Sequence, residues 1–528
     1  MTLTTQEMID QPPQADRPAA DPGRSHQHDT IAWIRFAALI VAFALQSYHI
    51  RGSLYGDEWH AMDAVDHPNF WGNLLSPSMS HPPLFFLLAR CAHSIVGQPW
   101  AIRLPSLLAG MASVCIFPYT ARRILGPRSA GTASWVVATA PFLIEFGGEG
   151  RPYALVILFS LLYIDALWWF LHEESIASLA ALLSVTLIGV STHHFFALLV
   201  AAGAVVYLVV RKRLTRYATL YLLAIAACLM VILPIAWPHA MHVAQQTRTW
   251  SDALQQFNLA NFLARLPIAL SFGFSTFAMS RLDVSRNIEL QVIRDNAAIV
   301  VVAGGWLAGC GLAAARGWLA RIGSWRLLVA LVILPTCLAV LASSMGLFLV
   351  REKYLAIVYP AWLLITVSAI AYLSQMAWGR LAVACYWIAV GLSLVHFLFW
   401  PNLYSRRSDW NGLCQRIEAI WQPGDMVIYY HLPGNQRRLQ IRVPAERRYS
   451  LRELLRSEGS LDAIAERLDQ QGARIILIDE EAMRNGVDPQ AALLRELQLR
   501  RHREEISFGR NLRLVILAEP SPRNEQQP

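Results

Sequence analysis

The chain has 528 residues, 55% of them hydrophobic and only 16% charged, with a formal net charge of +8. Soluble globular proteins carry about 25% charged residues, so this composition excludes a wholly soluble protein and points to a polytopic membrane protein. The basic residues sit in short loops between apolar runs, the pattern of cytoplasmic loops and not of a nucleic-acid surface, so no nucleic-acid partner is expected.

Residues 1–29 are polar and proline-bearing without an apolar core, which predicts a disordered cytoplasmic tail and not a cleaved signal. Apolar runs of roughly 17–22 residues, long enough to cross a bilayer, follow at 31–48, 104–121, 130–146, 152–171, 176–191, 194–210, 217–237, 296–315, 327–346, 354–374 and 381–399. With the N-terminus inside, the loops bearing Arg122, Arg123 and Arg128, then Arg211, Lys212, Arg213 and Arg216, then Arg316, Arg321 and Arg326, and finally Arg380 all fall on the cytoplasmic side, as the positive-inside rule requires. The stretch 83–96, about 14 residues, is short for a span, and counting it would turn every basic loop outward. It is therefore laid along the outer surface, giving about eleven transmembrane helices in a domain covering 30–403.

Three external pieces remain: 49–103, 238–295 with an amphipathic or re-entrant stretch near 257–277, and the C-terminal part. In 404–519, strand-like runs at 426–430, 474–478 and 512–517 alternate with helical patterns at 451–468 and 489–497. That order predicts a small extracytoplasmic α/β domain, with 520–528 as a frayed tail. The cysteines are scattered without a CxxC pair, so neither a disulfide framework nor a zinc cluster is expected.

This topology gathers a particular set of residues at the external boundary: Asp57, Glu58 and His60; His81; Arg103; Glu149 and Arg151; His193 and His194; and Arg351, Lys353 and Tyr354. Each alone has an ordinary explanation. Asp57-Glu58 suits the first turn of an interfacial helix, Arg103 and Arg351 suit headgroup anchors, Glu149 and Arg151 suit a surface ion pair, and adjacent histidines do not face one point on a helix. Ionisable groups at span ends are costly, however, and tend to mark sites or pathways. Together they supply a base, ligands for a divalent metal, and several phosphate partners.

At these residues the chain resembles the GT-C glycosyltransferases, above all the bacterial polyprenyl-phosphate-sugar-dependent branch related to protein O-mannosyltransferases and lipid A aminoarabinose transferases. The resemblance rests on Gly56-Asp57-Glu58, His81-Pro82-Pro83-Leu84, Arg103 with Pro105-Ser106, Glu149-Gly150-Arg151-Pro152-Tyr153, Thr192-His193-His194, Arg351 to Leu355 with Pro360, and Asp409-Trp410 with Pro423-Gly424-Asp425. It implies a multi-pass bacterial inner-membrane enzyme with a periplasmic C-terminal domain. Such an enzyme moves a sugar from a polyprenyl-phosphate donor to a hydroxyl-type acceptor on a glycolipid, lipid A, polysaccharide or protein. By the same resemblance Asp57 is the catalytic acidic position and Glu58 its neighbour, while His81 and Glu149 are supporting residues. Arg103, Arg151, Arg351, Lys353 and Tyr354 hold the donor phosphate, and Asp57, Glu58, His193 and His194 are candidate ligands of a divalent metal of unspecified identity.

The residue chemistry agrees with that reading. Arg pairs bidentately with phosphate and Lys supplies a point charge, and one base with direct attack gives inversion, by analogy with glycoside hydrolases. A lipid-linked sugar or lipid transporter is the principal alternative, but it calls for internal repeats and broken helices at the midplane. A membrane scaffold that binds a partner through the α/β domain would leave the outer-face charges unused.

Overall fold

The computed structural model describes residues 23–48, 50–52, 54, 56–74, 81–211, 215–217, 219–227, 230, 259–273, 297–318, 324–344, 352–399, 410–429, 443–470, 473–480, 493, 503–507 and 512–517. The expected tail at 1–22 and 520–528, most of the loop 238–295, and most of the helical pattern at 489–497 lie outside them. Two compact units are present: Met1–Ile50 with Ala64–Phe399, and Arg51–Asp63 with Trp400–Pro528.

The first unit is helical. Its opening helix α1 runs Gly23–Ser47, reaching back into the expected tail, because nothing between Arg24 and Thr30 breaks a helix. Along α1, Trp33, Phe36, Ile40 and Phe43 recur at helical spacing and stay exposed, a lipid-facing stripe. The helix α2 (Gly56–Val65) and the short α3 (Phe70–Leu74) follow. Next is α4 (Pro83–Val96), which starts on Pro82-Pro83 and ends at Gly97, whose φ of 69° is open to glycine at little cost.

A 3-10 turn at Pro99–Arg103 leads into α5, Leu104–Leu125. The expected span 130–146 is not one helix. It is divided into α6 (Ser129–Ala138) and α7 (Pro141–Gly147). Pro141 has no N–H to continue the ladder and pushes Ala140 to ψ 105°, out of the helical region. The helices α8 (Tyr153–His172), α9 (Ile176–Val190) and α10 (Phe196–Arg211) complete the first half, with Ser175 and Ser178 forming a reciprocal capping box at the start of α9.

Beyond it lie α11 (Leu259–Phe272), α12 (Ala297–Ala315) and α13 (Trp325–Ser344). A 3-10 segment at Glu352–Val358 then precedes α14 (Tyr359–Leu373) and α15 (Ala377–Phe399). Among the described residues six helical stretches are long and apolar enough to cross a membrane, and five shorter apolar helices include α4 and α11. Helices in lipid gain no hydrophobic drive from meeting each other and rely on close contact at small residues. On α12, Gly305 lies against Cys385 and Gly309 against Ala382 of α15.

In the second unit, α16 (Trp410–Ile420) is followed by β1 (Met426–Tyr429), β2 (Arg448–Ser450), α17 (Leu451–Glu458), α18 (Leu461–Gln470), β3 (Ile475–Glu480), β4 (Arg503–Ser507) and β5 (Leu512–Leu517). The five strands order as β2-β1-β3-β5-β4. The pairs β1–β2 and β1–β3 are parallel, and β3–β5 and β4–β5 antiparallel.

Alternate residues serve opposite faces, as strand geometry demands. Met426, Ile428, Ile475, Leu477, Val515 and Leu517 pack with α17 and α18, and Val427, Tyr429, Ile476, Ile478, Leu514 and Ile516 with α16. The helical pattern at 451–468 becomes two helices, because Gly459 turns left-handed at φ 80°. The motif Pro423-Gly424-Asp425 proves structural. Asp425 receives both Nε (3.0 Å) and Nη2 (2.5 Å) of Arg474, and Arg474 also donates to the Ile420 carbonyl at 2.5 Å.

The Gly309–Ala382 contact gives a stability prediction. Gly309→Ala places a methyl against the fixed Cβ of Ala382, and overpacking of this kind costs about 1–3 kcal/mol. Gly311→Ala meets open space and should not destabilise. Thermal unfolding of the two detergent-purified variants checks the contrast.

Candidate active-site pocket

The chemistry-bearing residues of the first unit come from turns at one end of its helices, and specific hydrogen bonds bring those turns together. The Leu84 N–H at the start of α4 donates to the Ser191 carbonyl after α9 at 3.1 Å. The Ser106 hydroxyl on the first turn of α5 donates to the Arg151 carbonyl before α8 at 2.7 Å. Arg103, 2% exposed, donates to the Ile50 carbonyl at 2.8 Å, fastening the start of α5 to the chain after α1. At least one of its donors is therefore committed to architecture.

In the resulting pocket Arg151 and Lys353 are both buried, as are His81 and His193. Arg151 Nη2 donates to His81 Nε2 at 2.9 Å. A guanidinium has only donors, so this nitrogen of His81 is the acceptor, and the proton of the neutral ring sits on Nδ1. His193 is fixed in the opposite sense. Its Nδ1 accepts the Phe195 N–H at 3.2 Å, which leaves its proton on Nε2. The two rings are 4.9 Å apart. His81 Nδ1 and His193 Nε2 are buried, and among the described residues neither has a hydrogen-bond partner.

Aromatic rings wall the pocket. Tyr153 lies 5.9 Å from the Arg151 guanidinium and 5.7 Å from Lys353 Nζ. Tyr354 is also 5.7 Å from Lys353 Nζ and stacks on Phe195 at 5.1 Å. Burial holds the His81 imidazole well below its ordinary pKa, and the positive charges of Arg151 and Lys353 push the same way. Burial again leads at His193, followed by His194, Arg151 and Lys353. Both rings are therefore neutral N–H donors.

Two cations and two unanswered N–H groups make a receptor for an anion. An unsatisfied buried donor costs about 1–3 kcal/mol, and such groups are rare unless a ligand completes them. Of the candidate metal ligands, His193 has Nδ1 committed to the Phe195 N–H, and Glu58 belongs to the second unit. Among the described residues no three His, Cys, Asp or Glu side chains gather as a metal site.

The sequence-selected residues are thus only partly assembled. His81, Arg151, His193, Lys353 and Tyr354 meet in one pocket, and the charge of His194 reaches both imidazoles. Glu149 is buried beside the pocket, its carbonyl accepting the Arg151 N–H at 2.8 Å. Asp57 and Glu58 lie on α2 in the second unit, with Glu58 fully buried; the Asp57 side chain and Arg351 fall outside the described residues. Two pocket contributors carried no assigned role in the sequence reading: Tyr153 stood inside a quoted motif, and Phe195 looked like ordinary span sequence. A buried polar residue of α1, Gln46, was masked by its apolar run. Gln46 is 1% exposed, its amide has no partner among the described residues, and it is wedged against Gly110 and Gly147.

Comparison with known proteins bears on the same region. Residues 80–237 match the family model for dolichyl-phosphate-mannose-protein mannosyltransferase. The putative mannosyltransferase YkcB of Bacillus subtilis (strain 168) is 22% identical over 162 residues, which are 30% of this chain and 23% of that protein. The chain thus spans less than a quarter of that relative's length. Among solved structures, apo ArnT from Cupriavidus metallidurans is similar at 14% identity, covering 94% of this chain and 100% of that one with a TM-score of 0.44. The Archaeoglobus fulgidus oligosaccharyltransferase complex with Zn and sulfate is similar at 11% identity, covering 92% and 74%, also with a TM-score of 0.44. The match over 80–237 contains His81, Arg103, Glu149, Arg151, Tyr153, His193 and His194, and bears out the GT-C resemblance read from those motifs.

The neutral imidazoles predict an acid-sensitive fold. Unfolded histidine takes a proton at its ordinary pKa and the buried rings only at a lower one, so the unfolded state binds more protons in that window. Stability is then constant above the ordinary histidine value and falls as pH drops below it. Thermal unfolding in detergent from about pH 8 to about pH 5 should show the decline, and His193→Gln, which keeps an N–H donor, should flatten it.

Proposed function

We propose that the protein is a membrane glycosyltransferase that moves a sugar from a polyprenyl-phosphate donor to a hydroxyl of a glycolipid, lipid A, polysaccharide or protein at the periplasmic face. The observation that carries this reading is the buried pocket in which Arg151 and Lys353 stand with the unpartnered donors His81 Nδ1–H and His193 Nε2–H. The family model matched by residues 80–237 is named for a lipid-phosphate sugar donor, and the pocket has the chemistry to hold such a phosphate.

In this mechanism the bond between the sugar anomeric carbon and the phosphate oxygen breaks as the acceptor oxygen attacks the same carbon. Negative charge grows on the departing polyprenyl phosphate, and fixed donors aimed at developing charge lower the barrier. Arg151 offers paired N–H groups, Lys353 a point charge, and the two imidazoles one N–H each. Because Arg151 also fixes the His81 tautomer, it acts both on the phosphate and on a second donor. Tyr153, Tyr354 and Phe195 exclude water, which strengthens each of these contacts. Asp57 takes the acceptor hydroxyl proton, with Glu58 in support, and attack opposite the leaving phosphate inverts the anomeric centre.

Transfer measured with a radiolabelled polyprenyl-phosphate sugar and purified protein tests the assignments. Arg151→Ala and Lys353→Ala should each lower the rate by about 10²- to 10³-fold, and Asp57→Asn should abolish it with membrane insertion intact. Full activity in Arg151→Ala removes the pocket from the mechanism, and sugar translocated without transfer replaces the enzyme by a transporter. The anomeric configuration of the product, read by NMR, is expected to be opposite to that of the donor. Retention would rule out the single direct displacement.

A further inference from the structure

The helical unit has a second cavity, at the end of the bundle remote from the pocket. A cleft of about 560 Å³ opens between α1, α6, α14 and α15, lined chiefly by Gly131, Thr132, Trp135, Ile370, Val383 and Trp387. Its depth follows from chain direction. The helix α14 starts beside Lys353 and Tyr354, and Ile370 and Ser374 lie roughly 17–23 Å further along it at 1.5 Å per residue. The helix α5 starts at the pocket and delivers the chain to α6 at its far end, where Gly131 and Thr132 occupy the first turn. On α1, Ile34 precedes the pocket-side end at Ser47 by roughly 20 Å. This cleft therefore serves something other than the reacting phosphate.

Its walls are apolar side chains and aliphatic helix surface, with the hydroxyls of Thr132, Thr139 and Ser374 at intervals. Its volume falls in the range of about 300–1,000 Å³ typical of small-molecule sites. Gly131 leaves the groove open, since a Cβ there would meet nothing within 4 Å, although glycine inside a helix costs stability relative to alanine. Two exposed cations flank it. Arg128 precedes Gly131 and Thr132 by three and four positions, and Arg380 precedes Val383 by three, so each shares a helix face with lining residues. Among the described residues neither guanidinium is in an ion pair or side-chain hydrogen bond.

We propose that this cleft binds an anionic phospholipid, with one acyl chain in the groove and the headgroup phosphate between Arg128 and Arg380. An apolar slot among membrane-spanning helices, with two cations that are unpaired among the described residues on the helix faces of its lining, matches an anionic lipid in apolar character and charge. Basic pockets between spanning helices are suited to anionic headgroups, and Arg in particular pairs with phosphate. The ligand is a resident of the leaflet at the arginine-rich end, and it ties α6 to α14 and α15.

Native mass spectrometry of the full-length, delipidated protein with added phosphatidylglycerol or phosphatidylcholine tests the site. The unaltered chain should retain one phosphatidylglycerol with a preference of about tenfold or more over phosphatidylcholine. Gly131→Phe, which fills the groove, should lose that lipid. Arg128→Gln with Arg380→Gln, both on the exposed surface, should keep binding but lose the preference. Equal retention of the two lipids by the unaltered chain, or undiminished phosphatidylglycerol in Gly131→Phe, overturns the proposal. A preference unchanged in the double arginine variant overturns it equally.

Discussion

Arg151 is the residue on which the pocket depends, because it is tied in two directions at once. Its backbone carbonyl accepts the Ser106 hydroxyl, fixing the turn before α8 to the first turn of α5. Its guanidinium donates to His81 Nε2, fixing the same turn to the segment that opens α4. A cation buried this deeply persists only with partners, and the histidine partner is itself kept neutral by burial and by the charge of Arg151. One buried side chain thus sets position and tautomer together, and adds to the burial that keeps the ring neutral. The Nδ1–H of His81, which has no partner among the described residues, is then set to donate with no proton rearrangement required.

The bundle supports this arrangement mainly by close approach of small residues. Gly305 and Gly309 let α12 reach α15, and Gly110 and Gly147 make room for Gln46 near the pocket end of α1. The break between α6 and α7 places the short α7 ahead of the Glu149–Arg151 turn, so the chain reaches the pocket through irregular backbone. Nonhelical backbone inside a membrane protein is tolerated where it is enclosed by protein or lines a cavity. The second unit is held by different means, with alternating strand residues feeding two apolar layers and the Asp425–Arg474 pair joining the starts of β1 and β3.

Much of the helical unit was legible because the bilayer fixes element length. The runs at 152–171 and 296–315 appear almost unchanged as α8 and α12. The run 130–146 misled because hydropathy is blind to backbone geometry, while Pro141 carried the contrary signal. In the α/β unit the strands at 426–430, 474–478 and 512–517 were visible as β-branched runs. The three-residue β2 and the charged β4 were not, since edge strands need little apolar character. His81, Arg151, His193, Lys353 and Tyr354 could be selected from sequence because polar groups at the ends of apolar runs are conspicuous. Phe195 could not, because an aromatic in a span has no distinguishing environment.

The sequence by itself determined which residues carry charge and at which ends of which helices they stand, since hydropathy and the bilayer leave few other placements for them. Only the tertiary structure decided what those residues are. In sequence His193 stood as a candidate metal ligand and His81 as a supporting residue; in the fold Arg151 and the Phe195 N–H each take one nitrogen of these two rings. The two rings then became neutral donors of defined tautomer in a cationic pocket. That outcome turns on contacts a few ångströms long between turns far apart in the chain, and no local pattern of residues encodes them.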